Sequence, residues 1–422
     1  MMLARPIRVA LFPDSLNECN GVANTCRHFV AYARRTESPM LLVSASDKTG
    51  VTQDGSITRL DLRRGAISFA LEKDLRFDLA IFRYYRRVVD ALREFSPDVV
   101  HITGPADFGI LGAVAAHDLG IPVAASWHTN VHEYAARRSD RILPRWISGS
   151  HRAKLLQTIE DVSFRLTAYF FQVARFHFAP NQELIDKLHG ATHKPCSLME
   201  RGVDLAMFNP THRDRGADGQ FVIGYVGRLS TEKKVRSFAE LSRAVKAAGY
   251  NHVKFVFVGQ GSEEPWLRQH IPDAEMTGVL RGPALSRAYA NMDLFAFFSE
   301  TDTFGNVVLE ALASGVPAVV TDKGGPKFIV EHERSGFVCS SSEEFTANVL
   351  RLISSDSLRG DMAVAARRRA ERASWDAVFS SVYEAYSREL PQVEEAAKPA
   401  RFPGRLVSGA PRLLLPRPQK LD

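Results

Sequence analysis

Two carboxylates in the second half of the chain bracket the start of an apolar helical pattern, and their spacing indicates a ligand site. Asp302 lies in an acidic loop, and Glu310 follows eight residues later between apolar neighbours. The turn between them, Phe304-Gly305-Asn306-Val307, leads into the helix, whose first backbone N–H groups are free to bind an anion. This layout suits a phosphorylated, hydroxyl-rich ligand such as a sugar nucleotide.

Both carboxylates also have simpler interpretations. Asp302 is suited to cap the helix, in competition with Thr301 and Thr303. Glu310 could be a solvated helical side chain, although carboxylates are rarely left unpaired within an apolar helix. We favour a ligand-binding role, because a ribose diol would give Glu310 two hydrogen-bond donors.

A second candidate group follows the strand-like run 222–226. Gly227 would let a ligand approach the backbone, and Arg228 and Lys233 would supply two positive charges to a diphosphate leaving group. The alternative is a solvated turn with surface cations.

The first half of the chain offers two weaker candidates. His128 comes directly after a predicted strand, where it could bind a sugar hydroxyl or a phosphate, although a lone histidine is more often a packing residue. Gly21 opens a predicted helix, either as an ordinary helix start or as a point of close backbone approach.

Short β-branched runs alternate with helical patterns, which predicts parallel α/β units in two successive series. The predicted strands are 7–12, 40–44, 98–102 and 122–126, then 221–226, 254–258, 293–297 and 316–321. The predicted helices are near 22–35, 83–95, 107–119, 149–175, 236–248, 284–291, 305–314, 326–332, 343–354, 357–373 and 375–389. The candidate residues follow strands, where two doubly wound sheets would form a cleft.

The 422 residues are too many for one ordinary core, so we expect two domains, 1–205 and 206–390. The last helices are candidates to cross back to the first domain, and the Pro/Arg-rich tail 391–422 has the composition of a disordered segment.

Composition excludes several classes of protein. The sequence has no apolar run long enough for a transmembrane helix and no recognisable signal peptide, and its four cysteines lack metal-site spacing. The H-E-x-x-H, Walker A and G-x-S-x-G motifs are absent, so we expect no metal ion and no other cofactor. We expect a cytoplasmic location, because four cysteines without disulfide-like or metal-site spacing are typical of a reducing compartment and no signal peptide is recognisable.

Together these residues resemble the retaining glycosyltransferases of family 4, which have the GT-B fold. The resemblance covers roughly 7–386, through FPDSLNECNGVANT, SWHTN, RGVDLAMFNP, GYVGRLSTEKK, FVGQGSEE and SETDTFGNVVLEALASGVPAVVTDKGGPKFIV. It implies two Rossmann-like domains facing a central cleft, with the acceptor on the first domain and the donor on the second.

The resemblance also implies roles for individual residues. Arg228 and Lys233 match the pair that grips the donor diphosphate, and Glu310 matches the glutamate that binds the ribose. Asp302 stands where many members have a glutamate, so its arm is one methylene shorter. Residues 304–307 match the turn whose backbone N–H groups bind the sugar and the phosphate. Gly21 matches the glycine of the acceptor-side loop, and His128 matches the histidine near the reacting sugar.

Within the family, the motifs look most like bacterial mannosyltransferases and sulfoquinovosyl-diacylglycerol synthases. The implied activity is hexosyl transfer from a UDP- or GDP-linked sugar to a hydroxyl acceptor, plausibly a membrane lipid or cell-envelope glycan. The basic stretch 137–154 would fit peripheral docking on the inner face of an anionic membrane, or is a solvated basic helix. No nucleic-acid partner is expected. The alternatives are a sugar-nucleotide epimerase on the same fold and a non-catalytic nucleotide-sugar binder.

Overall fold

The computed structural model describes residues 5–16, 21–65, 68–72, 75–78, 80–128, 149–216, 219–302 and 304–395. In this part of the chain the first sheet is built from the first 200 residues. Its strands are β1 (Val9–Phe12), β2 (Met40–Ser46), β3 (Gly50–Asp54), β4 (Ile57–Arg63), β7 (Val99–Ile102), β8 (Val123–Ser126), β9 (Phe176–Ala179) and β10 (Cys196–Leu198). A separate hairpin consists of β5 (Ser68–Glu72) and β6 (Leu75–Asp78).

The strand order of the first sheet is β10-β9-β8-β7-β1-β2-β4-β3, and every pair is parallel except β3 with β4. The helices are α1 (Gly21–Arg35), α2 (Tyr85–Phe95), α3 (Asp107–Leu119), α4 (Gly149–Phe171) and α5 (Gln182–Thr192). Strands β1, β7 and β8 are buried along their whole length, as their β-branched and small apolar residues predict.

The second sheet is entirely parallel, in the order β13-β12-β11-β14-β15-β16. Its strands are β11 (Phe221–Val226), β12 (Val253–Val258), β13 (Glu275–Gly278), β14 (Leu294–Phe297), β15 (Ala318–Thr321) and β16 (Gly336–Cys339). Its helices are α6 (Ser237–Ala247), α7 (Glu264–His270), α8 (Gly282–Ala290), α9 (Asn306–Ala313), α10 (Ser342–Ser354) and α11 (Asp356–Arg372).

Each sheet has a switch point where the strand order reverses direction. In the first sheet it lies between β1 and β7, and in the second between β11 and β14. Ligands of doubly wound sheets bind in the crevice outside the carboxyl ends of the strands at such points. The predicted α/β fold with two Rossmann-like units is therefore confirmed, and the loops after β11 and β14 are the first place to look for a site.

The last helix, α12 (Trp375–Glu395), belongs spatially to the first sheet. Its apolar side chains, including Phe379 and Tyr386, share a buried cluster with Phe29 of α1 and with residues of β1, β2 and β9. Trp375 stacks on His28 with 4.4 Å between the ring centroids. The chain thus leaves the first sheet, builds the second, and returns.

Two local predictions need comment. The helix predicted at 326–332 is wrong, because only a 3-10 turn forms at Pro326–Phe328. The N–H of Glu331 donates to the Ser335 hydroxyl (2.9 Å) instead of to a helical carbonyl, and Glu333 turns with a φ of 61° towards β16. The predicted tail begins within α12, which runs to Glu395, and residues 396–422 lie outside the described part.

Candidate active site

The loop after β11 is shaped by backbone packing against the loop after β12. Gly227 has a φ of +150°, and its N–H donates to the carbonyl of Val258 (2.9 Å). A Cβ on Gly259 would lie 1.9 Å from the Gly227 carbonyl oxygen, so a side chain there has no room. The Tyr225 hydroxyl donates to the Arg228 carbonyl (2.9 Å) and holds the loop from below. Backbone packing between the two loops therefore requires glycine at both positions, in addition to the role in ligand approach that was predicted for Gly227.

The predicted diphosphate-binding cations have different environments. Lys233 closes a 3-10 turn, Thr231–Lys233, and its Nζ lies 2.7 Å from Asp302 Oδ1. Both side chains are about one-fifth exposed. Arg228 is 71% exposed and lies 3.5 Å from Glu232. Lys233 is thus held in place by Asp302, whereas the Arg228 side chain is largely exposed to solvent.

Three polar side-chain atoms on the two loops that this ion pair joins are buried without a hydrogen-bond partner among the described residues. They are the second carboxylate oxygen of Asp302 and the hydroxyl oxygens of Ser230 and Ser299. Ser230 follows β11 and Ser299 follows β14, at the switch point of the second sheet. Buried polar atoms normally have partners, because an unsatisfied one costs about 1–3 kcal/mol. These atoms therefore indicate that a polar ligand or ordered water completes the bonding on these loops.

Glu310 lies on the second turn of α9, and its Oε2 accepts a hydrogen bond from the Tyr289 hydroxyl (2.8 Å). Burial raises the pKa of the Glu310 carboxyl, and the bond from Tyr289 opposes that shift. Burial also raises the pKa of Tyr289, so its phenol keeps its hydrogen and remains a donor. The other carboxylate oxygen of Glu310 has no partner in the described part of the structure and can accept from a ligand hydroxyl.

The turn before α9 presents its backbone to this space. Gly305 is the residue before the helix, with a φ of +95°, and no side chain of the described residues caps the helix start. A Cβ on Gly305 would lie 2.9 Å from Pro326. Phe304 is buried, Val307 is half-buried and Asn306 is exposed. The interpretation of Asp302 as a helix cap is therefore wrong, because Gly305 occupies that position and Asp302 pairs with Lys233.

On the first sheet, a buried guanidinium brings together two residues that the sequence analysis treated separately. Arg201 donates to the carbonyl oxygens of Gly21 (3.0 Å) and His128 (3.1 Å). Burial lowers the pKa of Arg201 to about 10, so it remains a cation at neutral pH. The sequence analysis assigned no role to Arg201, although it stands at the start of the quoted RGVDLAMFNP segment. Among the described residues, a Cβ at Gly21 would meet only Arg201, at 4.0 Å, so packing against this part of the chain does not require glycine there.

The loops at the carboxyl ends of the two sheets contact each other. Lys327, after β15, lies 3.2 Å from Glu183, after β9. Among the predicted site residues, Lys233 and Asp302 form a direct ion pair. Gly21 and His128 are connected through Arg201, which donates a hydrogen bond to the carbonyl oxygen of each. Sequence reasoning missed Arg201, Ser230, Ser299 and Tyr289. The first three lie within quoted motifs, which was a signal that could have found them, whereas Tyr289 lies outside every quoted motif.

Two family models match the chain in succession. Glycosyltransferase Family 4 matches residues 19–207, and Glycosyl transferases group 1 matches residues 220–355. A GDP-mannose-dependent alpha-mannosyltransferase from Mycolicibacterium smegmatis is 30% identical over 398 residues, which is 91% of this chain and 98% of the relative. The chain belongs to glycosyltransferase family 4.

Another similar protein is the sulfoquinovosyl transferase SQD2 of Arabidopsis thaliana, 28% identical over 90% of this chain and 73% of that protein. Among solved structures, sucrose-phosphate synthase from Thermosynechococcus elongatus aligns with a TM-score of 0.62 over 93% of this chain and all of that chain, at 15% identity. HepE from Anabaena, solved with UDP, gives a TM-score of 0.60 over 90% and 100%, at 17% identity. The fold of this glycosyltransferase is therefore GT-B.

No helix within the described residues combines the length and apolar character needed to cross a bilayer.

Proposed function

We propose that this glycosyltransferase moves a mannosyl group from GDP-mannose to a hydroxyl of a membrane lipid, with retention at the anomeric carbon. The observation that carries the proposal is the Lys233–Asp302 pair, which joins the loops after β11 and β14 at the switch point of the second sheet. The same two loops carry three buried polar atoms without a partner among the described residues. A charged, hydrogen-bonding ligand would satisfy these atoms.

The choice of donor rests on the relatives. Three of them, from Mycolicibacterium smegmatis, Mycobacterium tuberculosis and Corynebacterium glutamicum, are named GDP-mannose-dependent alpha-mannosyltransferase and are 27–31% identical to this chain. In our proposal the ribose binds the free oxygen of Glu310, and the diphosphate lies between Lys233, Arg228 and the uncapped start of α9. The hexose lies beside Asp302 and His128.

In the proposed reaction, the bond from the anomeric carbon to the phosphate oxygen breaks while the acceptor oxygen bonds to the same face of that carbon. The acceptor hydroxyl proton passes to the departing phosphate oxygen, so the products are a glycoside and the nucleoside diphosphate. Lys233 and Arg228 stabilise the negative charge that develops on the leaving group. A side-chain base is therefore unnecessary.

We further propose that transfer proceeds without a metal ion, since Lys233 and Arg228 supply the positive charge that a divalent cation would otherwise bring. We predict that excess EDTA changes turnover by less than about twofold, measured as nucleoside diphosphate release. A large loss that added Mg²⁺ or Mn²⁺ restores would contradict this.

The donor and the stereochemistry are tested in sequence. A thermal-shift panel of GDP-, UDP- and ADP-sugars is expected to single out GDP-mannose, because a ligand bound only by the folded state raises the melting temperature. NMR of the product from an accepted lipid should then show the anomeric configuration of the donor. An inverted product contradicts retention, donor consumption without an acceptor product indicates an epimerase, and binding without turnover indicates a non-catalytic binder.

A membrane surface is proposed as the location of the acceptor. The side chains of Leu155, Val162, Leu166 and Tyr169 are exposed and, at spacings of 7, 4 and 3, form one stripe along α4. Arg152, Lys154 and Arg165 lie beside the stripe, a pattern typical of helices that lie on anionic membranes. Of the basic stretch predicted to dock, 149–154 opens α4, whereas 137–148 lies outside the described residues.

Vesicle sedimentation tests the docking surface. Wild type should pellet with anionic vesicles more than with neutral ones, and Leu166→Glu should reduce that pelleting several-fold. Val51→Glu is the matched control, because Val51 is also an exposed apolar residue but lies on β3. Equal pelleting of Leu166→Glu and wild type would contradict the assignment.

A further inference from the structure

A chain of four buried side chains connects the last helix to the candidate active site. The Tyr386 hydroxyl, on α12, is hydrogen-bonded to Nδ1 of His101. Nε2 of His101 lies 2.8 Å from the Ser126 hydroxyl, which lies 2.6 Å from Nε2 of His128. His101 and Tyr386 are fully buried, and Ser126 and His128 are nearly so. We call these four residues the relay.

The number of hydrogens in the relay limits the possible directions of its hydrogen bonds. The Ser126 hydroxyl has one hydrogen and lies between two ring nitrogens. It donates to one of them and must accept from the other. The two histidines are therefore coupled, because the ring that receives from Ser126 is bare at Nε2 and the ring that donates carries its hydrogen there.

Tyr386 decides between the two directions. Within the described part of the chain, His101 is the only hydrogen-bond partner of the Tyr386 hydroxyl. If Tyr386 accepted from His101, its own buried hydrogen would have no acceptor, and an unpaired buried donor is unfavourable. Tyr386 therefore donates to Nδ1 of His101. The remaining hydrogens follow: His101 donates from Nε2 to Ser126, and Ser126 donates to Nε2 of His128.

Both imidazoles are neutral, so each carries one hydrogen. Burial lowers the pKa of His101 to about 3. It also lowers the pKa of His128 well below its ordinary value, with further repulsion from Arg201 and His101. Since Nε2 of His128 receives the hydrogen of Ser126, the hydrogen of His128 is on Nδ1.

We propose that Tyr386 is a positioning residue that, through His101 and Ser126, holds His128 in the Nδ1–H form, so that His128 meets its ligand as a hydrogen-bond donor and not as a base. This rests on the proposed function in placing His128 beside the transferred sugar. The group it recognises is an oxygen lone pair, such as that of a sugar hydroxyl or a phosphate. The returning helix α12 thereby acts on the cleft that both halves of the chain form.

NMR of the full-length protein with ¹⁵N-labelled histidine tests the relay without any substrate. Long-range ¹H–¹⁵N correlations show which ring nitrogen carries the hydrogen, and the His128 signals are those that disappear in His128→Asn. Wild type should show the Nδ1–H form, whereas Ser126→Ala and Tyr386→Phe should gain an Nε2–H population. Tyr383→Phe, three residues earlier on α12, removes a hydroxyl that has no hydrogen bond to the relay and should match wild type.

An Nε2–H form of His128 in wild type overturns the proposal, even if the variants do not fold. An unchanged His128 in folded Tyr386→Phe overturns the role of Tyr386. Since these readings need no turnover, they stand apart from any failure of the proposed function.

Activity provides the second test, because an asparagine amide can take the place of the Nδ1–H group and a glutamine amide that of Nε2–H. His128→Asn should retain at least about tenfold more kcat than His128→Ala, while His128→Gln should resemble His128→Ala. Equal loss in all three variants contradicts a donor at Nδ1. If no variant and no wild type turns over any donor, the proposed function has failed and the NMR result still decides the relay.

Discussion

At the residue scale, the ion pair between Lys233 and Asp302 is central to the candidate site. The Nζ of Lys233 is held 2.7 Å from one oxygen of Asp302, while the other oxygen has no partner among the described residues. Asp302 therefore aims the lysine and keeps a free acceptor beside it. Such a preorganised cation needs little rearrangement when charge develops on a leaving group.

Lys233→Ala is expected to lower kcat by a factor of about 10² or more, on the scale of losing one preorganised electrostatic contact. Lys254→Ala is the matched control, because Lys254 also forms a pair with a carboxylate (Glu275, 2.6 Å) but near the start of β12, away from the carboxyl ends of the strands. Steady-state kinetics with saturating donor give the measurement. Near-normal turnover in Lys233→Ala would argue against the assigned role.

Tyr289→Phe tests the ribose-binding assignment of Glu310. Removing the hydroxyl leaves a buried carboxylate oxygen without its donor, so Glu310 should hold the ligand less well. We expect the donor KM to rise about fivefold, equivalent to about 1 kcal/mol, with kcat little changed. Tyr250→Phe, on a half-buried tyrosine outside the site, should leave KM unaltered. A rise in KM of equal size in both variants would contradict the assignment of Glu310 as the ribose-binding residue.

At the element scale, the site depends on how loops pack on one another. The N–H of Gly325 donates to the Asp302 carbonyl (2.6 Å), so the loop after β15 supports the loop after β14. Gly324 has a φ of +67°, and a Cβ there would lie 2.9 Å from the Asp302 carbonyl oxygen. The segment Gly324-Gly325, which precedes the 3-10 turn Pro326–Phe328, therefore helps to place Asp302.

Gly324→Ala should push the Asp302 loop outward and reduce kcat by about tenfold, in addition to the cost of a positive φ for alanine, about 1 kcal/mol. Gly55→Ala is the control for the backbone cost alone, because Gly55 has a φ of +58° with nothing within 4 Å. The melting temperature of both variants should be slightly lower than that of wild type. A kcat loss in Gly55→Ala as large as in Gly324→Ala would show that loop placement is not the cause.

At the scale of the whole molecule, the first sheet contains buried histidines that the fold holds neutral. His177 is fully buried, neither of its ring nitrogens has a partner among the described residues, and burial lowers its pKa to about 3. Its pKa in the unfolded chain is near 6.5. Between pH 6.5 and 3 the unfolded state binds the extra proton, so the stability that this neutral group contributes above pH 6.5 is lost as the pH falls.

His177→Leu is therefore expected to flatten the pH dependence of stability. Between pH 7 and pH 5, His177 accounts for about 2 kcal/mol of the free energy of unfolding that wild type loses. The melting temperature should fall by a few degrees less in the variant than in wild type over that interval, whatever its value at pH 7. His252→Gln, at an exposed position, should keep the wild-type slope. Parallel slopes for His177→Leu and wild type would contradict the prediction.

The sequence by itself determined the two parallel-sheet units, eight of the sixteen strands and ten of the twelve α-helices that the structure describes, and the residues at the ends of those strands. These follow from local periodicity and from short segments, which the chain specifies within a few neighbours. The helix wrongly predicted at 326–332 marks the limit, because the bond from Glu331 to the Ser335 hydroxyl depends on the course of the chain into β16.

Only the tertiary structure decided which partner each polar group has. Tyr289 meets Glu310 across 21 residues, Lys233 meets Asp302 across 69, and Tyr386 meets His101 across 285. No local pattern encodes such pairs, since they form when distant segments are brought together by packing of the sheets and by the return of α12. The residue types determine which chemical groups the site contains, but the fold determines which of those groups are paired.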